Sequence, residues 1–137
     1  MQAEVAILRA MYRRVASAST DLPLEWVGRS FDVPENRRYV RVALLPAGTE
    51  RVLIGSRAPQ RLSGILQLTV MWGLENGEQP PMEVAGQLAE LFPTDLRLVE
   101  GEYTIRIVRR PEIAAPVVEP SGMGVPVSVR YESWVSS

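Results

Sequence analysis

Two strand patterns, separated by a short polar segment, occupy the chain between Tyr39 and Trp72. Apolar and polar residues alternate along Tyr39–Pro46 and again along Arg61–Trp72. Such alternation is typical of a sheet with one face covered and the other facing water. The segment Glu50–Arg57 between them is interpreted as a short strand that pairs with the start of the long one. We expect this part of the chain to form an open sheet with a hairpin arm.

The rest of the chain supplies helices and further strands. Apolar residues at three- and four-residue spacing predict two helices, the first with a stripe of Val5, Leu8, Tyr12 and Val15. Gly86 costs the second helix ~1 kcal/mol relative to Ala and indicates close packing on the sheet. The two helices are predicted over 2–18 and 80–92. The other predicted elements are an extended connector over 20–38, a hairpin of Leu96–Glu100 and Tyr103–Arg109, an irregular loop over 110–124 and a last strand over Val125–Val135.

This order predicts an α+β fold, in which two helices pack on one face of a mainly antiparallel sheet that carries a β-hairpin arm. A chain of 137 residues suits a single domain, 1–137, that folds without a metal or disulfide. In the connector, Trp26 and Phe31 are expected to pack on their own core rather than on a neighbouring subunit. The 110–124 loop is too long for a simple connection and is a candidate functional loop.

Three residue types that carry much of enzyme chemistry are absent from the chain. It has no Cys and no His, and all 15 of its basic residues are Arg. This removes thiolates, the commonest general base and metal ligand, and the lysine of Schiff bases and phosphate loops. Carboxylates such as Glu83 and Glu90 fit a solvated helix face, and a metal-dependent carboxylate hydrolase is the least implausible enzyme. We therefore expect no enzyme activity, cofactor or metal.

Charge and hydropathy limit the partners. A net charge of −1 argues against a broad nonspecific grip on nucleic acid, which requires a basic face. No apolar run approaches the ~20 residues of a membrane span, so we expect no membrane partner. Residues 1–19 carry Glu4, Arg9, Arg13 and Arg14 among their apolar positions and do not resemble a signal peptide. The protein is therefore expected to be intracellular when made.

Arginines mark the arm and the end of a later strand. Arg suits bidentate pairing with carboxylates across interfaces, and subunit–subunit pairing is one use for this set. Solvated strand edges that resist aggregation are an equally good explanation, and contact with nucleic acid is a weaker third. The candidate subunit or tube interface residues are Arg51, Arg57 and Arg61 on and beside the arm, and Arg109 and Arg110 at the end of the later strand.

Several segments, taken in order, carry a resemblance to a known family. They are Leu24-Glu-Trp26 with Phe31-Asp-Val-Pro34, Tyr39-Val-Arg-Val-Ala-Leu-Leu-Pro46, the Arg-bearing arm, Gly64-Ile-Leu-Gln-Leu-Thr-Val70, Leu91-Phe92-Pro93 and Val125-Pro-Val-Ser-Val-Arg-Tyr131. In this order and spacing the chain resembles the tail terminator, or tail completion, proteins of long-tailed bacteriophages, prophages and gene-transfer particles. The resemblance covers nearly the whole chain, and none of its motifs is a catalytic signature.

The resemblance implies a structural virion protein that forms a ring, typically a hexamer. Such a ring caps the tail tube, ends its polymerisation and offers a head-attachment surface. The implied partners are other copies of the chain, the major tail tube protein and a head–tail connector or stopper protein, with DNA passing through the lumen without specific binding. The implied location is the head-proximal end of the tail, after synthesis in the host bacterial cytoplasm. The alternative is a head–tail joining (neck) protein that binds the portal-side connector.

Overall fold

Two helices and a single eight-stranded sheet make up the fold, and this confirms the predicted α+β class. The computed structural model describes residues 1–55 and 57–135. The elements are α1 (Ala3–Ala16), β1 (Leu24–Trp26), β2 (Tyr39–Glu50), β3 (Gln60–Trp72), α2 (Gln79–Glu90), β4 (Arg97–Glu100), β5 (Tyr103–Ile107), β6 (Glu112–Ile113), β7 (Val117–Glu119) and β8 (Gly122–Val135).

The sheet is built around the long strands β2, β3 and β8. Its strand order is β1-β2-β3-β8-β5-β4, and the short strands β6 and β7 pair with the edge of β8 that β5 leaves free. Every pairing among the described strands is antiparallel except that of β1 with β2. The mainly antiparallel sheet of the sequence prediction is therefore confirmed.

One face of the sheet forms the core beneath both helices. Register aligns buried side chains across the three long strands in rows, such as Val40–Val70–Val125 and Val42–Leu68–Val127. Burying each such side chain stabilises the fold by roughly 1.5–3 kcal/mol. The opposite face carries half-exposed and polar residues, as the alternation predicted. We call this second side the open face. The helices cover the first face with Ile7, Met11 and Val15 from α1, with Ala85 and Leu88 from α2, and with Phe92 just beyond α2.

The predicted stripe of α1 is only half right, because Val15 is buried and Tyr12 packs partly buried against the core. Val5 and Leu8 are exposed, whereas Ala6, Ile7 and Ala10 are buried. The buried side combines the small Ala6 and Ala10 with the large Ile7 and Met11, so the helix is rotated about its axis relative to the predicted stripe. Gly86 is also misinterpreted, because a Cβ placed there meets nothing within 4 Å. It therefore does not mark close packing.

The hairpin arm is built differently from the prediction. Glu50–Arg57 is not a third strand; β2 instead continues past Pro46 to Glu50, with a register shift between Pro46 and Gly48. The shift accommodates the proline, which cannot donate to the ladder. The ends of β2 and β3 meet at the pair Glu50↔Arg61, so the arm is the far end of this one hairpin, and residues 51–55 and 57–59 lie at its tip outside any strand.

Two segments predicted to be irregular contain strands. Residues 24–26 of the connector form β1, which pairs in parallel with β2. In the 110–124 segment, β6 and β7 lie between the prolines and pair with β8, which begins at Gly122. Proline interrupts a ladder only locally, so short strands persist between Pro111, Pro116 and Pro120 at this edge.

Candidate functional site

The tip of the arm presents apolar side chains to solvent. Val52 and Leu53 are half exposed, and Ile54 is fully exposed. Arg51 precedes this apolar group and Arg57 follows it, and both are exposed. An apolar group at the end of a projecting hairpin is typical of a surface that another molecule covers.

Ion pairs fix the base of the arm to the body of the sheet. The Arg61 guanidinium donates to Glu50 at 2.5 Å and lies 3.7 Å from a carboxylate oxygen of Glu132. The other oxygen of Glu132 accepts from Arg106 at 2.7 Å, and Arg106 also donates to Asp95 at 2.6 Å. Hydrogen bonds from Arg106 to these two carboxylates, first Glu132 and then Asp95, raise the pKa of its guanidinium. The chain of charges therefore runs across β2, β3, β8 and β5 on the open face.

The five arginines of the sequence prediction do not form one cluster. Arg51 and Arg57 lie at the tip, and Arg61 lies at the arm base with its guanidinium engaged inside its own chain. Arg109 pairs with Glu112 at 3.0 Å, and Arg110 is exposed next to it. Both follow β5, on the far side of β8 from the arm. The tip pair and the edge pair are thus separate candidate contacts.

A groove of about 440 Å³ lies on the open face at the opposite end of the β2–β3 hairpin. Thr69, Met71 and Pro126 line it from the sheet, Val33 from the connector and Val117 from β7. The polar members of its lining include Arg37, Arg41, Glu119 and Ser121.

Aromatic contacts hold the connector against its own subunit. Trp26 packs on Tyr12 of α1, with the ring centroids 4.8 Å apart, and Phe31 packs on Tyr39 at 5.1 Å. The expectation that these two connector aromatics pack within their own chain is confirmed. Phe31 thereby fixes the stretch of connector that forms one wall of the groove.

The acidic residues and two tyrosines determine what metal and acid–base chemistry the described residues can support. Across residues 1–55 and 57–135, no group of three or more Asp or Glu residues is arranged to hold a metal ion. Burial raises the pKa values of Tyr12 and Tyr131, and a backbone hydrogen bond at Leu44 partly offsets the shift at Tyr12. Both phenols therefore stay protonated near neutral pH and are not poised as bases or nucleophiles.

No helix within the described part of the chain is long and apolar enough to cross a membrane.

Sequence reasoning missed the apolar tip and the groove. The tip had a visible signal, since Val52-Leu-Ile54 are three consecutive apolar residues between two turn segments. The sequence predicts a strand for them because branched aliphatic residues favour strands. The groove had no such signal, because its walls come from segments far apart in the chain.

Comparison with known proteins identifies the family. A family model described as phage tail terminator protein matches residues 6–131. One solved protein structure superposes with a TM-score of 0.77 at 25% identity, over 97% of this chain and 96% of the other. No curated protein matches the chain.

The family match extends over most of α1, all of α2 and nearly the whole sheet. It makes the protein a structural component of the virion tail that interacts with tail and head components, and it points to a role without enzymatic activity. The chain belongs to the phage tail terminator protein family.

Proposed function

We propose that the protein forms a ring, typically a hexamer, that caps the tail tube, ends its polymerisation and provides the surface to which the head attaches. The observation that carries this proposal is the arm tip, where a fully exposed Ile54 stands beside two half-exposed apolar residues. Burial of that group against a neighbour would stabilise an assembly by roughly 25 cal/mol per Å² of apolar surface covered.

A ring requires a heterologous contact, in which two different patches of the subunit meet and the rotation between neighbours closes. The arm supplies one projecting patch on one side of the molecule. Arg51 and Arg57 at its tip can pair with carboxylates of the neighbour or the tube, and Arg109 and Arg110 offer a second basic patch at the sheet edge. Arg61 serves the same interface from within, because its bond to Glu50 holds the arm base.

The partners in this proposal are further copies of the chain, the major tail tube protein, and the connector or stopper protein on the head side. DNA passes through the lumen without base-specific contacts. The position is the head-proximal end of the tail, after synthesis in the host bacterial cytoplasm.

Replacement of residues 51–59 by a short Gly-Ser turn tests the proposal. The change leaves the Glu50–Arg61 pair in place, so the monomer should keep its far-UV circular dichroism and its unfolding midpoint. Sedimentation velocity at several concentrations, with and without purified tail tubes, should show a ring for the parent chain and none for the variant. Electron microscopy should show that only the parent caps the tubes.

Two results would contradict the proposal. One is a parent chain that stays monomeric and neither caps the tubes nor alters their length. The other is an arm-deleted chain that assembles and caps as the parent does.

A further inference from the structure

The arm tip and the groove lie at opposite ends of the same hairpin. Tyr39 and Met71 pair at the groove end, and Glu50 and Arg61 pair at the arm end. At ~3.3 Å per residue, the strand between Tyr39 and Glu50 is about 36 Å long. The tip of a subunit therefore cannot reach its own groove, but it can reach the groove of another copy.

The groove has the size and the lining to accept an apolar tip. Its volume of about 440 Å³ lies in the range of pockets that bury small ligands, and Val33, Met71, Val117 and Pro126 are apolar contributors to its surface. Gly124 keeps the floor open. A Cβ at that position would lie 3.0 Å from Thr69 Cγ2, so a side chain there would occupy the floor.

One acidic residue of the groove can pair with the arginines of the tip. Glu119 in the β7 wall is exposed and faces solvent without an ion pair among the described residues, so it can accept from Arg51 or Arg57. Of the two arginines that line the groove, Arg41 is already neutralised by Glu25 at 2.7 Å. Arg37 then remains as a positive charge that repels the arginines of the tip.

We propose that the Val52–Ile54 tip of one subunit inserts into the groove between Val33 and Val117 of the next subunit. The occupant is a second copy of this chain, and the contact joins head to tail. This inference rests on the proposed ring and assigns its interface to two named patches. Each subunit then donates one tip and receives one, which is the kind of heterologous contact that a closed ring requires.

Two surface substitutions test the contact by complementation. Ile54→Asp removes the apolar tip, and Val117→Arg fills the groove and repels the tip arginines. Ile54 is fully exposed and Val117 is 56% exposed, so neither change disturbs the monomer core. Each variant alone should be monomeric in sedimentation velocity. An equimolar mixture should give a 1:1 dimer and nothing larger, because one good tip and one good groove remain.

Val99→Arg is the matched control. Val99 is an exposed apolar residue on β4, at the edge of the sheet away from the arm. Rings of the parent size should persist in this variant. A mixture of the Ile54→Asp and Val117→Arg chains that stays monomeric would overturn the proposal, as would rings formed by either variant alone.

Disulfide trapping gives a second readout, and the natural chain contains no Cys to complicate it. A chain with Ile54→Cys mixed with a chain with Val117→Cys should give a cross-linked dimer on oxidation, whereas Ile54→Cys mixed with Val99→Cys should not. Efficient Ile54→Cys self-dimers would show that tips pair with each other and would overturn the proposal.

The result also separates this contact from the proposed function. Rings that cap tubes without any tip–groove disulfide would refute the contact and leave the function standing. If Ile54→Asp rings form but fail to cap, the tip binds the tube protein instead, and the contact is again refuted. A parent chain that never assembles, with or without tubes, refutes both.

Discussion

The substitution of Gly by Ala should have opposite effects at two positions in this protein. Gly64 lies in β3 at the base of the arm, where it pairs with Pro46 on one side and Tyr131 on the other. A Cβ at Gly64 would lie 2.7 Å from the Leu45 carbonyl oxygen and equally close to Cζ of Tyr131. The Tyr131 hydroxyl lies closer still, and because that ring is buried and the carbonyl belongs to the backbone, the ladder itself must shift.

The cost at Gly64 follows from these contacts. Forcing an extra methyl group into a well-packed site costs typically about 1–3 kcal/mol. Replacing Gly reduces the entropy of the unfolded chain and returns roughly 0.4–1 kcal/mol. The close approach involves backbone as well as a buried ring, so we expect Gly64→Ala to lower the free energy of unfolding by about 1–2 kcal/mol.

Gly86→Ala is the matched control with the opposite sign. Gly86 lies within α2, no atom lies within 4 Å of the added Cβ, and its φ is outside the left-handed region. Ala favours a helix interior over Gly by about 0.8–1 kcal/mol, so this variant should be more stable than the parent by roughly that amount.

Urea unfolding followed by tryptophan fluorescence measures both effects, since Trp72 is buried in the core. The two midpoints should move in opposite directions from that of the parent, at unchanged slope. A Gly64→Ala chain as stable as the parent would refute the reasoning, because it would show that the arm base yields to a methyl group without cost. Replacing Tyr131 by Phe in the Gly64→Ala chain should recover only part of the loss, because the Leu45 carbonyl remains.

Two further predictions concern charge. Glu100 is buried and pairs with Arg13 at 2.6 Å, which joins α1 to β4. Glu100→Gln should therefore lower the free energy of unfolding by about 1 kcal/mol, after discounting for the exposed arginine. Glu112→Gln, in an exposed pair, should change the thermal midpoint negligibly, and equal effects of the two substitutions would contradict this. The chain has no Lys or Cys, so tyrosines dominate side-chain titration near pH 10. Burial raises the pKa of Tyr131 above 10.0, so the unfolded state loses the phenol proton at lower pH than the folded state does. The free energy of unfolding should therefore fall as the pH rises above 10. Tyr131→Phe should make this fall shallower, and an unchanged pH profile would contradict the assignment.

The long strands and both helices could be predicted from the sequence because their patterns are local. Alternation along Tyr39–Pro46 and Arg61–Trp72 gave the central strands, and the order of elements gave the α+β class. The inward side of α1 could be predicted only in part, because apolar residues follow two neighbouring stripes of this helix at the same spacing. The buried stripe contains Ile7 and Met11 with Ala6 and Ala10, whereas Val5 and Leu8 of the predicted stripe are exposed.

The arm and the groove depended on information that the sequence does not display locally. Val52–Ile54 has the composition of a strand, but a strand needs a neighbour, and the pairing of β2 with β3 down to Glu50↔Arg61 leaves these residues beyond the last ladder pair. The groove joins the connector to β7, two segments some 80 residues apart, through their separate pairings with the central sheet. Tertiary topology decides both features.

Intramolecular pairing also divides the arginines by role. An arginine whose charge is already satisfied within the chain gains little from a partner, because a new contact must first break the old one. Arg61 donates a hydrogen bond to Glu50 and lies near Glu132, so it orients the arm. Arg51 and Arg57 lie beyond the last pair of the β2–β3 ladder, beside the exposed apolar residues of the tip. In the proposed ring, charge at the tip would steer the approaching subunit and fix its orientation, while burial of Ile54 would supply the affinity. On this reasoning Arg57→Gln should slow ring assembly and make assembly easier to inhibit with competing subunits. Ile54→Asp should abolish assembly.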